Sequence, residues 1–295
     1  MKNIAIIGLG KWGKNLLREF SKISNVSVCV TTGKTKNLNW LRKNYPKLQH
    51  TTKLVDILDD KTIGAVVIAT PIKTHANLTT RILKTGKHVF VEKPLSTELM
   101  QSKKIIEFGQ KNKLVVFVGY IFSYHQIFQK IKSIAKRENI IYAQFDWSKN
   151  GAFDENIILN LLSHDIFLAL ELFGKPSGYS ILDKIGFTTN LDILTIELQF
   201  PKNKRCMMKL NRISNYKKKL ITIITTKNLY QWDDNVLYKF DKSKRMFKKI
   251  YDSTTPPLES ECNMFIKEIT KKHIDYNQTN VLNAAEIMDK IIKQI

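Results

Sequence analysis

Residues 3–13 read Asn3-Ile4-Ala5-Ile6-Ile7-Gly8-Leu9-Gly10-Lys11-Trp12-Gly13. A short apolar run ends at a glycine, and glycines return two and five places later. An uninterrupted apolar run suits a strand covered on both faces. In G-x-G-x-x-G the first glycine permits a tight turn and the second lets a ligand approach the backbone. The third lets the following helix pack close to the strand. The helix start then offers free N–H groups and a positive dipole end to an anion such as a pyrophosphate. Strand, turn, helix and a bound dinucleotide are therefore expected, with Gly8, Gly10, Lys11, Trp12 and Gly13 around its phosphates.

Outward from this turn, the first 120 residues alternate in pattern. Strands are expected at 3–7, 26–31, 65–69, 88–91 and 115–118, and helices at 15–24, 37–44, 54–59, 77–85 and 97–112. This alternation predicts a parallel, doubly wound sheet with right-handed crossovers, the Rossmann architecture. After Gly119 the texture changes. Helices at 126–137 and 157–173 enclose a strand at 140–147. Strand-like runs then follow at 178–182, 193–200, 205–210, 220–225, 228–232 and 236–241 without helices between them. That succession predicts a largely antiparallel sheet. Pro256-Pro257 precedes closing helices at 259–272 and 281–295. The expected fold class is α/β: a Rossmann domain over 1–120, then an α+β domain with a mainly antiparallel open sheet over 121–295.

The chain has 295 residues, 43% hydrophobic and 25% charged, an ordinary composition for a globular chain of two domains. Cys29, Cys206 and Cys262 are odd in number and far apart. They suggest neither a disulfide framework nor a metal site, and a reducing, cytoplasmic setting is expected. No signal-like segment or membrane-length apolar run is present. The net charge of +22 comes from lysines spread over the whole chain, without aromatic interleaving. This argues against a nucleic-acid partner and suits a polyanionic small molecule.

The end of the second strand carries the ribose-reading position. It reads Cys29-Val30-Thr31-Thr32-Gly33-Lys34-Thr35-Lys36, with no carboxylate to accept from ribose hydroxyls. Thr31 and Thr32 with Lys34 or Lys36 suit a 2′-phosphate instead, so NADP is favoured over NAD.

Two further motifs follow. Ala69-Thr70-Pro71 ends a strand, with His75 at the next helix start. Then comes Gly86-Lys87-His88-Val89-Phe90-Val91-Glu92-Lys93-Pro94-Leu95. With the glycine turn, this set resembles the Gfo/Idh/MocA oxidoreductase family. The resemblance implies a Rossmann domain holding NAD(P), with Ala69, Thr70, Pro71, His75, Glu92 and Lys93 lining the cofactor site. It also implies an open-sheet second domain that often mediates dimers or tetramers. The family's catalytic lysine falls on Lys93. A lysine ammonium there can stabilise a developing alkoxide and, if desolvated, relay its proton. Glu92 would orient the lysine or the ribose.

In the second half, Asn160-Leu161-Leu162-Ser163-His164-Asp165 resembles the family's D-x-G-x-H element, with Asn160 in place of Asp and Leu162 in place of Gly. A four-residue spacing sets Asn160 and His164 on one helix face. Asn160 cannot take a proton but can orient a hydroxyl, which leaves proton handling to His164 and Lys93. Asp165 reads as a support. Tyr120, in Gly119-Tyr120-Ile121-Phe122-Ser123-Tyr124-His125, would face the nicotinamide or the substrate. Asn150-Gly151 is a weaker substrate element. Lys217-Lys218-Lys219 and residues 242–249 read as solvated hairpin faces, and Asp233-Asp234-Asn235 as a turn.

The resemblance to Asn-bearing relatives implies hydride transfer with a sugar or nucleotide sugar, as in bacterial surface-glycan synthesis. A dehydrogenase or reductase of a free polyol or keto-sugar is one alternative. A catalytically silent, cofactor-binding regulatory protein is another.

Overall fold

The structure is a computed structural model and describes residues 3–30, 33–151, 153–271, 274 and 276–295. The first stretch runs β1 (Asn3–Ile7), α1 (Lys11–Ile23), β2 (Val26–Val30), α2 (Thr35–Asn44), β3 (Gln49–Thr51), α3 (Val55–Asp59), β4 (Ile63–Ile68), α4 (Ile72–Leu83), β5 (His88–Glu92), α5 (Leu99–Lys111) and β6 (Val116–Gly119). The chain continues with a 3-10 turn (Ile121–Tyr124), α6 (Gln126–Ala135), β7 (Ile140–Ser148), a π-helical turn (Ile158–Leu162) and α7 (Ser163–Phe173). Seven strands follow: β8 (Gly178–Ile185), β9 (Ile193–Phe200), β10 (Lys204–Asn211), β11 (Lys218–Thr225), β12 (Leu229–Asp233), β13 (Val236–Asp241) and β14 (Met246–Asp252). Helices α8 (Pro257–Lys271) and α9 (Gln278–Gln294) close the chain.

The chain divides into two compact units. Met1–Tyr120 and Leu258–Ala285 form one, and Ile121–Pro257 and Glu286–Ile295 form the other. The first holds a six-stranded sheet in the order β3-β2-β1-β4-β5-β6, parallel throughout. The order reverses at β1, which lies between β2 and β4, and open α/β sheets bind their ligands at the carboxyl end of such a switch point. Register fixes what stands there. Ile7 pairs with Ile68, Ile68 with Val91, and Glu92 with Gly119. One residue beyond the first pairings, Gly8, Ala69, Glu92 and Gly119 therefore end their strands in one row.

The sheet's apolar residues explain its burial. Ile4, Ile6, Val66, Val67, Val89, Phe90 and Val91 are wholly enclosed. Phe265 of α8 meets Phe20, Phe90 and Phe117 at centroid distances of 6.0, 5.6 and 5.6 Å. This is why residues 258–285, read from sequence as part of the second domain, pack with the first. An amphipathic pattern shows that a helix has an apolar face, not which sheet receives it.

The second unit holds eight strands in the order β14-β13-β12-β11-β7-β10-β9-β8. Neighbours are antiparallel except β7 and β10, which run parallel. Two strands escaped the sequence reading. β3 is three residues of Gln-His-Thr, with no apolar signal. β14 is an exposed edge strand whose lysines read as a solvated face. Helix α1 starts at Lys11 rather than at 15, because Gly10 is already its N-cap.

Candidate active site

At the carboxyl edge of the parallel sheet, the glycine turn has the predicted geometry. Gly8 sits at φ +98°, a conformation that favours glycine, and a methyl there would meet the Ala69 carbonyl carbon at 2.8 Å. A methyl on Gly13 would collide with the Gly8 carbonyl oxygen. Gly10, in contrast, has open space where its side chain would be. Helix α1 begins there with no side-chain cap and no acidic residue in its first turn, so its N–H groups and dipole are available to an anion. The turn thus fits a dinucleotide pyrophosphate.

Beside it lies a cavity of about 430 Å³ lined by Lys11, Lys14, Asn15, Arg18, Lys36, Asn37 and Trp40. Lys11, Lys14 and Arg18 stand three, then four residues apart on one face of α1. Lys14 also lies over the Trp40 ring at 4.9 Å. Four cations and an indole suit a phosphate with an adjoining flat ring. Lys36 joins this wall. Lys34 does not line the cavity; it is the exposed N-cap residue of α2. Thr31 and Thr32 lie outside the described residues. Sequence reading missed Lys14 and Arg18, although their helical spacing from Lys11 was there to be seen.

The other motif residues gather around the same edge. Trp12 donates its indole N–H to Glu92 Oε1, which ties α1 to the end of β5. Desolvation lifts the Glu92 carboxyl to about 7, against the Trp12 hydrogen bond and the Lys93 charge, which both favour the carboxylate. Lys93 follows directly. His75 is buried, with Nδ1 2.8 Å from the Pro94 carbonyl and Nε2 2.8 Å from the Thr70 carbonyl. Burial and the Lys93 charge oppose its imidazolium. Both ring nitrogens are thus occupied by backbone. His75 braces the Thr70 and Pro94 turns, and would act on a cofactor only through them. Tyr120 follows Gly119 and is 2% exposed, and burial pushes its phenol well up.

The second unit carries the other sequence-selected residues. Asn160 is half-buried in the π-helical turn, and His164 is buried in the first turn of α7. The π turn inserts a wider loop between them: the Ser163 N–H reaches back to the Ile158 carbonyl. His164 lies against Phe122, edge to face at 4.9 Å, and Trp147, tilted at 5.8 Å. Lys219 closes the group. Its Nζ is buried, 2.9 Å from the Phe122 ring centroid and 4.1 Å from that of Trp147. β11 pairs Lys219 with Trp147 across the strands. Lys219 is thus no solvated hairpin lysine, and its neighbours are set by strand pairing, which the sequence does not display.

Asp165 is wholly buried beside this group, and neither carboxyl oxygen has a hydrogen-bond partner. Burial pushes it up to about 7, with Lys219 pulling down and Asp146 adding to the rise. A second cavity of about 420 Å³ is lined by Asn156, Ile157, Arg212 and residues 188–191. Its charge is already engaged. Arg212 donates to Asp192 at 3.0 Å and to the Glu155 and Leu191 carbonyls at 2.7 Å each. Asp192 also accepts from the N–H groups of Phe187, Thr188 and Thr189. Burial opposes its ionisation, but these donors hold its carboxyl well below the usual range. Among the described residues, no group of three or more His, Cys, Asp or Glu could hold a metal ion. No described helix is long and apolar enough to cross a membrane.

Residues 2–120 match the model of an oxidoreductase family with an NAD-binding Rossmann fold. Over those residues the chain is similar to the Gfo/Idh/MocA oxidoreductase family. The chain is 25% identical over 215 residues to myo-inositol 2-dehydrogenase of Thermotoga maritima, a match covering 67% of this chain and 64% of that one. The chain spans about half to two thirds of the length of the curated relatives it matches. Solved structures share its fold more fully. A UDP-N-acetylglucosamine 3-dehydrogenase from Acidithiobacillus ferrooxidans superposes with a TM-score of 0.89 at 17% identity, covering 98% of this chain and 96% of that one. Biliverdin reductase from Synechocystis, in complex with biliverdin and NADP+, superposes at 0.82 and 15% identity, with 99% and 98% covered.

Proposed function

We propose that this chain transfers a hydride reversibly between NADP(H) and a secondary alcohol or ketone of a sugar or nucleotide sugar. The observation that carries this reading is the row formed by Gly8, Ala69, Glu92 and Gly119, with Lys93 one residue beyond it. The phosphate-binding turn and the candidate catalytic lysine thus end neighbouring parts of one sheet edge. The cavity bearing Lys11, Lys14, Arg18 and Lys36 supports NADP, since it offers the 2′-phosphate four cations and no carboxylate.

When bound, the nicotinamide gives or takes the hydride. The chain's own residues bind, orient and move the proton. The α1 N-terminus and Gly10 hold the pyrophosphate, and the α1 cations hold the ribose phosphate. The Lys93 ammonium hydrogen-bonds the reacting oxygen and stabilises the alkoxide as charge develops. Within the second unit, His164 is the candidate to take or return a hydroxyl proton and Asn160 the candidate to orient a hydroxyl. Phe122 and Trp147 keep the imidazole in one orientation. The nucleotide-sugar reading is supported by the likeness to the UDP-N-acetylglucosamine 3-dehydrogenase, and a free cyclic polyol by the myo-inositol 2-dehydrogenase relative. Exposed apolar side chains on edge strands β8 and β14, such as Leu182, Ile185, Met246 and Ile250, support a homo-oligomer. Light scattering on the eluting peak tests it.

The deciding experiment is a thermal-shift survey with NAD, NADH, NADP and NADPH, alone and with UDP-sugars or myo-inositol. A ligand at 100 times its Kd stabilises the native state by about 2.7 kcal/mol. The expected result is a larger shift with NADP(H) than with NAD(H), increased further by a UDP-sugar. An increase with myo-inositol alone selects the polyol reading. No shift with any nicotinamide, in protein shown by absorbance to be free of cofactor, defeats the assignment.

A further inference from the structure

A lysine on a sheet usually lays its stem on apolar surface and holds its ammonium in water. Lys219 does the reverse. The residue is half-buried, yet its Nζ is enclosed. The cause lies in β11. Lys219, Ile221 and Ile223 alternate along the strand and share one face, and both isoleucines are buried. Across the ladder they pair with Trp147, Phe145 and Ala143 of β7. Lys219 thus takes the end place in an otherwise apolar row, beside an indole. Its Nζ stands 2.9 Å from the Phe122 ring centroid and 4.1 Å from that of Trp147. Those two rings meet edge to face at 5.5 Å. The face of an aromatic ring favours the charged form of an ammonium.

The same two rings hold His164, at centroid distances of 4.9 and 5.8 Å. With Nζ 2.9 Å and the imidazole centre 4.9 Å from one Phe122 centroid, the two lie within about 8 Å of each other whatever the angle between them, a range over which a charge in a protein interior is felt. A cation at that range disfavours the imidazolium.

The other ionisable groups on α7 and its neighbouring elements leave this charge uncancelled. Asp165, next on α7, is wholly enclosed without a donor, and burial keeps its proton on up to about pH 7, through the range in which a histidine titrates. Glu171, two turns further on, is engaged by Ser123 and Lys132. Asp146 lies on the opposite face of β7 from Trp147 and accepts from Gln144. His125 caps α6 by accepting the Ile127 N–H, and burial opposes its imidazolium. Cys206 of β10 is held as a thiol by burial. Asp234 is exposed in the turn after β12.

We propose that Lys219 is a positioning residue for His164: its ammonium, held against the Phe122 and Trp147 rings, keeps the imidazole neutral and so ready to accept a proton at neutral pH. That a substrate hydroxyl supplies this proton rests on the functional reading above; the effect of Lys219 on His164 does not.

Nuclear magnetic resonance of the imidazole Cε1–H in the cofactor-free protein reads this effect without turnover. The His164 signal is assigned by its loss in His164→Gln. Its midpoint in the wild-type protein should lie below the ordinary histidine value of about 6.5. Lys219→Met removes the charge and keeps the side chain's length, and the midpoint should rise by about one pH unit. Lys219→Gln serves if the Met protein does not fold, and should give the same rise. Lys219→Arg keeps a cation on the rings and should hold the wild-type midpoint; a loss of packing alone would not sort the variants by charge. The acid limb of kcat/KM against pH should move up with the midpoint in Lys219→Met. A wild-type midpoint at or above the ordinary value overturns the proposal, as does a folded Met or Gln protein with an unchanged midpoint. A raised midpoint with an unmoved acid limb upholds it and removes instead the proton role given to His164.

Discussion

Lys93 and Asp165 are two ionisable residues in different settings, with opposite consequences. Lys93 stands at a strand end, where a substrate oxygen would meet it. Lys93→Ala should fold with an unchanged melting curve and lose about 10²–10⁴-fold in kcat/KM, the range for a positioned proton-transfer group. Steady-state kinetics beside a thermal melt check this. Asp165 has no donor and is raised by burial to about 7, while an unfolded aspartate titrates near 3.9. Between those values the folded state keeps a proton that the unfolded state has lost. Stability should therefore fall as pH rises from about 4 to about 7 and level off above. Asp165→Asn removes this dependence, so its effect on stability should be more favourable at pH 8 than at pH 5 by about 1–3 kcal/mol, the linkage of one raised carboxyl. Urea denaturation at pH 5 and pH 8 measures it; equal mutant effects at both would defeat the argument.

At the scale of elements, the glycine turn and α8 depend on close packing. A methyl on Gly13 would strike the Gly8 carbonyl, a backbone atom that cannot swing aside. Gly13→Ala should cost about 1–3 kcal/mol and weaken nicotinamide binding, because α1 must back away from the turn it serves. Denaturant melts and cofactor titration report the two effects separately. On α8, Phe265→Ala empties the centre of the Phe20, Phe90 and Phe117 cluster and should cost about 3–5 kcal/mol. A smaller loss would mean that α8 contributes little to the first unit. The α1 cations form a third element-scale device. Lys14→Ala with Arg18→Ala should weaken NADPH far more than NADH, by about 10-fold or more for the loss of charge-assisted bonds. Equal weakening would remove the case for NADP.

For the whole molecule, the net charge of +22 creates a positive field that any anionic ligand enters. Salt shortens its reach to about 8 Å at physiological ionic strength. The KM for NADPH should rise with added salt more steeply than that for NADH, since NADPH carries the additional phosphate. Parallel salt series with both cofactors give the comparison. The field is also a property of composition alone, which is why it could be read without any fold.

What the sequence determined by itself were the features written in local spacing. Strand, glycine turn and helix follow from residues 3–23, and the alternation after them prescribes a parallel sheet. The family motif around Lys93 is contiguous, so it too was legible. Boundaries were legible only where a glycine or an apolar edge marked them, which is why polar β3 and lysine-rich β14 were missed. Tertiary structure decided the rest, because the remaining features are distances between residues far apart in the chain. Strand pairing placed Lys219 on Trp147 and Phe122, beside His164. Packing of α8 on Phe90 and Phe117 buried Glu261, a residue whose type gives no apolar signal. Burial, not residue type, turned Asp165 and Glu261 from ordinary surface acids into proton-holding groups. The physical reason is that desolvation and Coulomb energy depend on what surrounds a charge, and a chain specifies those surroundings only once it has folded.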